Sequence, residues 1–389
     1  MIDYRLRTRI VAGDGAVEQL GVLAKELNAR TVLVVSDPGV VSAGIFEKGC
    51  ASLHAVGIRV HGFHGLSENP STDHVAAGLK LAQQIQPDLL VGLGGGSSMD
   101  CAKGINFLYS CGGAIKDYWG VGKATGPMLP LIAIPTTAGT GSETQSFALI
   151  SDAQKHVKMA CGDPRAAAAV AILDPLLTLT QPPRVTALTG IDALTHALET
   201  FVTNKQNAVS DCFSREAWML LSRGLPRVIE EPKDISGRTQ MQLGASFAGM
   251  AIEASMLGSA HALSNPLTAI LGVPHGQAVG MMMPHVLRFN NEAVESRYRE
   301  LVYLLPEVSG TDRRSSGEVL ADRFTHWLTI AGLAVRLSDL PTWSEHAEGG
   351  QVTELLNAMA DMAVKQWTGS FNPRPATRED YLSLYQAAL

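Results

Sequence analysis

The sequence of 389 residues has few charged residues, no closely paired cysteines and no long apolar run. Asp, Glu, Lys and Arg make up 17% of it, against about 25% in an average globular protein, which argues against disorder. Its five cysteines are widely spaced and form no Cys-x-x-Cys pair, so we expect no disulfide framework and predict a reducing compartment. No stretch approaches the roughly 18 apolar residues that a membrane span requires.

Basic residues are too scattered to suggest binding to nucleic acid. The 31 Lys and Arg residues are outnumbered by 37 Asp and Glu residues, which gives a net charge of −6, and they form no basic run. The first residues, MIDYRLRTRIVAGDG, contain no apolar segment of the kind found in secretion signals. The sequence therefore predicts a soluble cytoplasmic protein whose partners include neither a nucleic acid nor a membrane. Its 46% of hydrophobic residues are enough to form a large core.

The first half of the chain alternates short apolar runs with amphipathic segments. This alternation is typical of a mostly parallel sheet that is covered by helices on both faces. After Gln181–Arg184 the hydrophobic period becomes helical and stays so to Leu389. We therefore predict an α/β domain over residues 1–183 and an all-helical domain over residues 184–389. The main predicted strands are Arg30–Asp37, Ile58–Phe63, Asp88–Gly94 and Leu129–Thr137.

Two small-residue loops follow predicted strands in the first half. The glycines Gly94–Gly96 precede a predicted helix, so their backbone N–H groups can approach an anion such as a phosphate. An ordinary tight turn is the alternative, because the G-x-G-x-x-G pattern of dinucleotide-binding folds is missing. The small residues and hydroxyl groups of the loop Pro135–Glu143 suit the lining of a cofactor pocket, and a polar loop of turn residues is the alternative. Asp37 ends the first predicted strand, where a carboxylate binds the ribose of NAD and repels the 2′-phosphate of NADP, unless it is merely a helix cap.

The second half contains a candidate metal site. Asp192 and His196 lie at positions i and i+4 of a predicted helix, so they project from one face about 5–6 Å apart at Cβ. His261 and His275 lie in apolar segments, where a buried imidazole needs a partner. One carboxylate and three imidazoles suit Fe(II) or Zn(II) with a coordination position left open. A helix-surface ion pair between Asp192 and His196 is the alternative that spacing alone leaves open.

Two further residues of this half are interpreted by their position. Glu199 lies on the same helix face as Asp192 and His196, and we predict that it orients the His196 ring, as carboxylates do behind metal-binding imidazoles. We interpret His285 as a structural residue that closes a helix end.

These segments, in this order, resemble the iron-containing (group III) alcohol dehydrogenase family. The resemblance is carried by GGGSSMDCAK, PTTAGTGSET, TGIDALTHALE, the block from His261 to Asn290 and the terminal SFNPRP, which span nearly the whole chain. It implies a Rossmann-like, dinucleotide-binding N-terminal domain and an all-α, metal-binding C-terminal domain, in the dehydroquinate synthase-like fold. It also implies NAD and Fe²⁺ as cofactors, with Zn²⁺ as the alternative metal, and a homodimer or larger homo-oligomer.

The resemblance also assigns roles to residues by their position. The metal ligands, which act in catalysis through the metal, are expected to be Asp192, His196, His261 and His275. The residues expected to contact NAD are Asp37, Asn69, Gly95, Gly96, Ser97, Asp100, Thr136, Thr137, Thr140 and Lys158.

One position departs from the family pattern. Many members have a second histidine four residues after the third ligand, near the nicotinamide, where this chain has Asn265, and Thr268 replaces a usual glycine. Asparagine does not titrate, so a proton relay through this side chain is excluded. The proton path, the pH optimum and the substrate range are left open by this difference.

The predicted function is hydride transfer between a small primary alcohol or diol and NAD, with the metal acting as a Lewis acid on the substrate oxygen. Alternatives of the same fold are a hydroxyacid–oxoacid transhydrogenase, a maleylacetate reductase and a polyol dehydrogenase. A dicarboxylate substrate calls for arginine, and Gly190–Glu199 and Met256–Gln277 contain none. A non-enzymatic nucleotide-binding or metal-sensing protein is a further alternative, but we would expect it to have lost a ligand or a glycine of these motifs.

Overall fold

The structure is a computed structural model that describes residues 4–154, 157–306, 314–344 and 352–389. It divides into two compact units, Met1–Gln181 and Pro182–Leu389. The first unit combines helices with two sheets, and the second is helical, which confirms the predicted fold class. Among the helices described, none is both long enough and apolar enough to cross a membrane.

The first unit is built on a six-stranded parallel sheet, and a three-stranded sheet accompanies it. Its strands are β1 (Arg9–Ala12), β2 (Thr31–Val35), β3 (Arg59–Phe63), β4 (Leu89–Gly94), β5 (Gly120–Val121), β6 (Leu131–Pro135), β7 (Phe147–Ser151), β8 (Lys158–Gly162) and β9 (Val170–Leu173). The strand order is β1–β9–β6–β4–β2–β3 in the large sheet and β5–β8–β7 in the small one. The central strands β2, β4 and β6 are buried throughout, as expected for a sheet with both faces covered.

The main predicted strands correspond to β2, β3, β4 and β6, so these predictions are confirmed to within one or two residues at each end. The helices of this unit are α1 (Leu20–Glu26), α2 (Pro38–Ser42), α3 (Ile45–Ala55), α4 (Thr72–Ile85) and α5 (Gly96–Cys111). Among these strands and helices, three were not predicted. They are β1, four residues at the sheet edge, β5, two residues of the small sheet, and α2, a helix of five residues.

The chain changes direction in the large sheet between β2 and β4. From β2 it continues outward to β3, then returns to β4 on the other side of β2 and goes on to β6 and β9. Open α/β sheets bind their ligands at the carboxyl ends of the strands beside such a switch point. Asp37 follows β2 and the turn Gly94–Gly96 ends β4, so both lie at this place.

A buried lysine holds α5 to the segment from Ser142 to Phe147. Lys103 is fully buried, and its Nζ donates to Ser142 Oγ and to the carbonyl oxygens of Ser142, Gln145 and Phe147 at 2.6–2.9 Å. Asp100, one turn earlier on α5, lies 4.0 Å from the same nitrogen. Because a buried ammonium group needs several partners, this residue fixes the segment against the helix.

The second unit is arranged around one buried helix. The helices are α6 (Pro183–Val202), α7 (Ala208–Glu230), α8 (Ile235–Ala254), α9 (Ser259–Leu271), α10 (His275–Leu304), α11 (Ser316–Ile330), α12 (Val352–Ala363) and α13 (Arg378–Ala387). Helix α6 packs against α7, α8 and α10, and every residue from Gly190 to Val202 is buried. Asp192, His196 and Glu199 lie in this stretch, so each needs a partner inside the protein.

A glycine allows α10 to approach α6 closely. A Cβ atom on Gly276 would lie 2.1 Å from the carbonyl oxygen of Leu188 on α6, which no side chain tolerates. The first turn of α10, which begins at His275, therefore rests directly on α6. This contact brings His275 to the helix that carries Asp192.

We expect Lys103→Met to destabilise the protein by about 3–5 kcal/mol, because it leaves buried carbonyl oxygens without their donor and the buried Asp100 carboxylate without the nearby positive charge. The measurement is urea denaturation at neutral pH, followed by circular dichroism. Lys48→Met is the control, since Lys48 makes only an exposed ion pair, 3.9 Å from Glu18. A shift for Lys103→Met as small as that of the control would contradict the role given to Lys103.

Candidate functional site

The four predicted metal ligands lie together in the second unit. Asp192 and His196 are on α6, His261 is in the first turn of α9 and His275 begins α10. Asp192 Oδ1 lies 3.4 Å from His196 Nε2, 3.6 Å from His261 Nε2 and 3.7 Å from His275 Nε2. Ligand atoms of Asp192, His261 and His275 all lie within 4.8 Å of one another. Three helices therefore bring one carboxylate and three imidazoles to one place.

Two polar atoms in this cluster are buried and have no hydrogen-bond partner in the part of the chain that the structure describes. They are Asp192 Oδ1 and His261 Nε2. An unpaired buried polar atom is unfavourable by about 1–3 kcal/mol, and both atoms are of the types that bind divalent metals. A cation held by these oxygen and nitrogen donors satisfies both atoms, so the residues present fit a metal ion.

The charges in the cluster favour a positive charge at its centre. Burial raises the pKa of a carboxyl group, yet the imidazoles of His196, His275 and His261 hold the pKa of Asp192 well below its usual value. Burial lowers the pKa of an imidazole, yet Glu199 and Asp192 raise the pKa of His261 to about 9. Both shifts favour a positive charge beside the two carboxylates, and a divalent cation supplies such a charge when it binds.

The cluster is accessible from the side of His275. The side chain of His275 is 31% exposed, whereas those of Asp192, His196 and His261 are less than 10% exposed. His275 is therefore the member of the cluster that is most open to a small molecule, and the other three residues are buried.

Glu199 holds His261 in its orientation. Glu199 Oε2 lies 2.5 Å from His261 Nδ1, and because a carboxylate accepts, the ring donates from Nδ1 and turns Nε2 toward Asp192. Glu199 Oε1 accepts from the backbone N–H of Ala260. The prediction that Glu199 orients His196 was therefore wrong. Its partner is the histidine of another helix, which the spacing along α6 does not reveal.

Two other polar residues, Asn265 and His285, lie on α9 and α10, the helices that carry His261 and His275. His285 lies inside α10 and not at a helix end, so that prediction was wrong. Burial and the charge of Arg288 lower the pKa of His285 to about 4, which keeps this ring neutral. Asn265, one turn after His261 on α9, donates from Nδ2 to Gln366 Oε1 at 2.9 Å.

In the first unit, the two loops predicted to bind a cofactor pack against each other. Thr137 lies 3.5 Å from the position of a Cβ atom on Gly95, and Thr140 lies 2.7 Å from that of a Cβ atom on Gly96. A side chain on Gly96 would separate the loops. The glycines therefore leave the backbone at the start of α5 open beside a row of threonine side chains.

Asp37 and Asn69 contact the same turn. Asp37 Oδ1 accepts from two backbone N–H groups at the start of α2, and Asp37 Oδ2 lies 3.1 Å from Ser98 Oγ, which donates to it. The backbone N–H of Asn69 donates to Ser97 Oγ. Thr136 is buried at the end of β6. Asp37 therefore does cap a helix, which was the alternative interpretation of this residue. The cap holds its carboxylate beside the glycine turn.

Asp100 and Lys158 are placed differently. Asp100 is buried, and its two oxygens accept from Ser142 Oγ and from the backbone N–H of Leu149. Burial raises the pKa of Asp100, and the charges of Lys103 and Lys158 oppose that rise. Asp100 therefore supports the loop from within, Lys158 is exposed on β8, and contact of either residue with a cofactor stays a prediction.

No role was predicted for Lys103 or Asn372 from the sequence, although they lie in the motifs GGGSSMDCAK and SFNPRP. A signal for Lys103 is present in the sequence, since this lysine stands three residues after Asp100 on a helix whose neighbouring residues are apolar or small. No such signal exists for Asn372, whose side chain lies in a short irregular segment near the end of the chain.

Comparisons with known proteins agree over the whole chain. The family model for iron-containing alcohol dehydrogenase matches residues 7–175, and the C-terminal model of the Fe-containing alcohol dehydrogenase family matches residues 186–389. The NAD-dependent methanol dehydrogenase of Bacillus methanolicus is 34% identical, with 100% of both chains covered. The 1,3-propanediol dehydrogenase of Klebsiella pneumoniae is 30% identical over 100% of this chain and 99% of its own. A solved structure of a 1,3-propanediol oxidoreductase has a TM-score of 0.93 at 30% identity, with both chains fully covered.

We expect Glu199→Gln to weaken metal binding about 10–100-fold, because the variant removes the negative charge behind the His261 imidazole. The measurement is competition for Zn²⁺ between the purified protein and a chromophoric chelator. Glu300→Gln is the matched control, since Glu300 pairs with Arg215 at the surface. Equal Zn²⁺ affinity in the two variants would show that the contact between Glu199 and His261 has no influence on a metal.

Proposed function

The chain belongs to the iron-containing alcohol dehydrogenase family, and from this membership we propose how its residues carry out the reaction. It is an NAD-linked oxidoreductase that acts on alcohols, and it uses NAD and a metal. We propose that small primary alcohols or diols are its substrates and that it also reduces the corresponding aldehydes. The relatives named for methanol and for 1,3-propanediol support this range.

The cluster around Asp192 is the observation that carries the proposal. We infer that Asp192, His196, His261 and His275 hold one divalent metal, Fe²⁺ with Zn²⁺ as the alternative, because its unpaired buried atoms are donors for either ion. When bound, such an ion polarises the substrate oxygen as a Lewis acid and lowers the pKa of the alcohol.

The residues of the cluster and its surroundings admit the substrate, exclude water and orient the His261 ring. The substrate enters past His275, the exposed member of the cluster, while the buried residues behind it keep water away. Glu199 keeps Nε2 of His261 directed into the cluster. Asn265 has no titratable group, so this side chain does not accept the proton of the alcohol.

We propose that NAD binds at the carboxyl ends of β2 and β4. Backbone N–H groups of Gly96 and Ser97 at the start of α5 suit the pyrophosphate, and Gly95 keeps the approach open. The carboxylate of Asp37 favours the ribose hydroxyls of NAD over the 2′-phosphate of NADP. The other proposed contacts are Asn69, Asp100, Thr136, Thr137, Thr140 and Lys158.

The alternatives of the same fold have weaker support. The absence of arginine from Gly190–Glu199 and Met256–Gln277 disfavours the dicarboxylates that a maleylacetate reductase or an oxoacid transhydrogenase would bind. A polyol dehydrogenase differs only in substrate size and stays the second candidate. We also propose a cytoplasmic location, which the five free cysteines support, and a homodimeric or larger assembly, which stays a prediction from the resemblance.

The test of the proposed function is NADH formation from a panel of short alcohols, diols and polyols. Protein stripped by a chelator is reloaded with Fe²⁺ or Zn²⁺, and we expect turnover of primary alcohols or diols only after reloading. His275→Ala should abolish both turnover and metal binding, whereas the exposed His326→Ala serves as the control. Turnover by the stripped protein, or full activity of His275→Ala, would remove the metal from the proposed reaction.

We expect Asp37→Gly to lower the preference for NAD over NADP about tenfold or more, equal to ~1.4 kcal/mol, because the charge that repels a 2′-phosphate is lost. The measurement is the ratio of kcat/KM for the two cofactors. Asp37→Asn is the matched variant, since asparagine still caps α2 but carries no charge. The same ratio in wild type and both variants would show that Asp37 does not face the ribose.

A further inference from the structure

The first turn of α9, which carries His261, is capped by side chains from other segments. Its N-cap residue is Gly258, which has no side chain to accept from the free backbone N–H groups of the turn. Asn372 Oδ1 accepts from the first of these N–H groups at 3.2 Å, and Glu199 Oε1 accepts from the second at 2.7 Å. The start of α9 is therefore capped by two side chains that belong to other segments of the chain.

Gly258 fits between these acceptors because it lacks a side chain. A Cβ atom there would lie 2.9 Å from Glu199 Oε1 and 3.2 Å from Asn372 Oδ1. A residue such as serine, which caps helices by itself, would therefore push both oxygens away from the turn. The glycine and the two acceptors form one fitted arrangement around the start of the helix.

Asn290 on α10 fixes the orientation of the Asn372 amide. Asn290 Nδ2 donates to Asn372 Oδ1 at 3.0 Å, and Asn372 Nδ2 donates to Asn290 Oδ1 at 2.7 Å. Asn372 Nδ2 also donates to the carbonyl oxygen of Arg374. Both asparagines are buried, so turning the Asn372 amide would break all of these bonds at once. The pair therefore keeps an oxygen, and not an NH₂ group, directed at α9.

We propose that Asn372, with Asn290 behind it, is a positioning residue for the metal centre. It holds the first turn of α9 in the place from which Glu199 reaches both the backbone of that turn and the His261 ring. His261 Nε2 thereby stays directed at Asp192. This inference rests on the proposed function, since it takes the cluster to bind a metal. It gives the motif SFNPRP a role that its sequence does not reveal.

The test is the Zn²⁺ affinity of the full-length protein, measured by competition with a chromophoric chelator, together with the melting temperature of the metal-free form. We expect Asn372→Ala to weaken Zn²⁺ binding about tenfold, the lower end of the range for residues behind a metal ligand. Asn290→Ala should cause a smaller loss in the same direction. Asn204→Ala is the matched control, because Asn204 Nδ2 donates to the Ser370 carbonyl oxygen in the same segment.

A purely structural role predicts a different pattern. In that case Asn372→Ala and Asn204→Ala would lower the melting temperature of the metal-free protein and leave Zn²⁺ affinity unchanged, which would overturn the proposal. Should Asn372→Ala fail to fold, Asn290→Ala decides, and wild-type affinity in that variant would overturn the proposal. If the wild-type protein itself binds no Zn²⁺ or Fe²⁺, the metal centre of the proposed function fails, and the positioning role fails with it.

Discussion

A buried carboxylate surrounded by imidazoles is the constraint on which the second unit depends. Asp192 lies in the stretch Gly190–Val202 of α6, which is buried throughout, and an isolated negative charge is strongly unfavourable there. His261 and His275 come from other helices to compensate that charge, and their approach depends on tight packing. Gly276 allows α10 to rest on the backbone of α6, and Glu199 holds the ring of α9 in place. The packing of α9 and α10 against α6 therefore brings in the imidazoles that compensate the charge of Asp192.

The first unit also buries charged groups, but there each of them has hydrogen-bond partners within the protein. Lys103 and Asp100 are as buried as the cluster around Asp192, but the ammonium group donates to four protein oxygens and the carboxylate accepts from two protein groups. This pair therefore supports a loop from within, and contact of Asp100 with a cofactor stays a prediction. The groups proposed to bind the cofactor in this unit are instead the backbone N–H groups at the start of α5.

The cluster around Asp192 differs from this pair in its hydrogen bonding. Buried polar atoms are nearly always hydrogen-bonded, so an unpaired one indicates a missing partner. Asp192 Oδ1 and His261 Nε2 are such atoms among the residues described, and they face each other across the cluster. The exposed side of His275 gives a substrate access to the same place. A metal and a small alcohol together account for these features.

The sequence by itself determined the elements and the local pairs. Apolar runs predicted the central strands, and the i, i+4 spacing put Asp192 and His196 on one helix face. The elements β1, β5 and α2 were not predicted because they are too short to show a period. The tertiary structure alone decided that Glu199 faces His261, that Asp100 supports a loop and that Asn372 caps α9. Periodicity states which residues share a face of their own element. Which faces meet depends on packing between segments far apart in the chain.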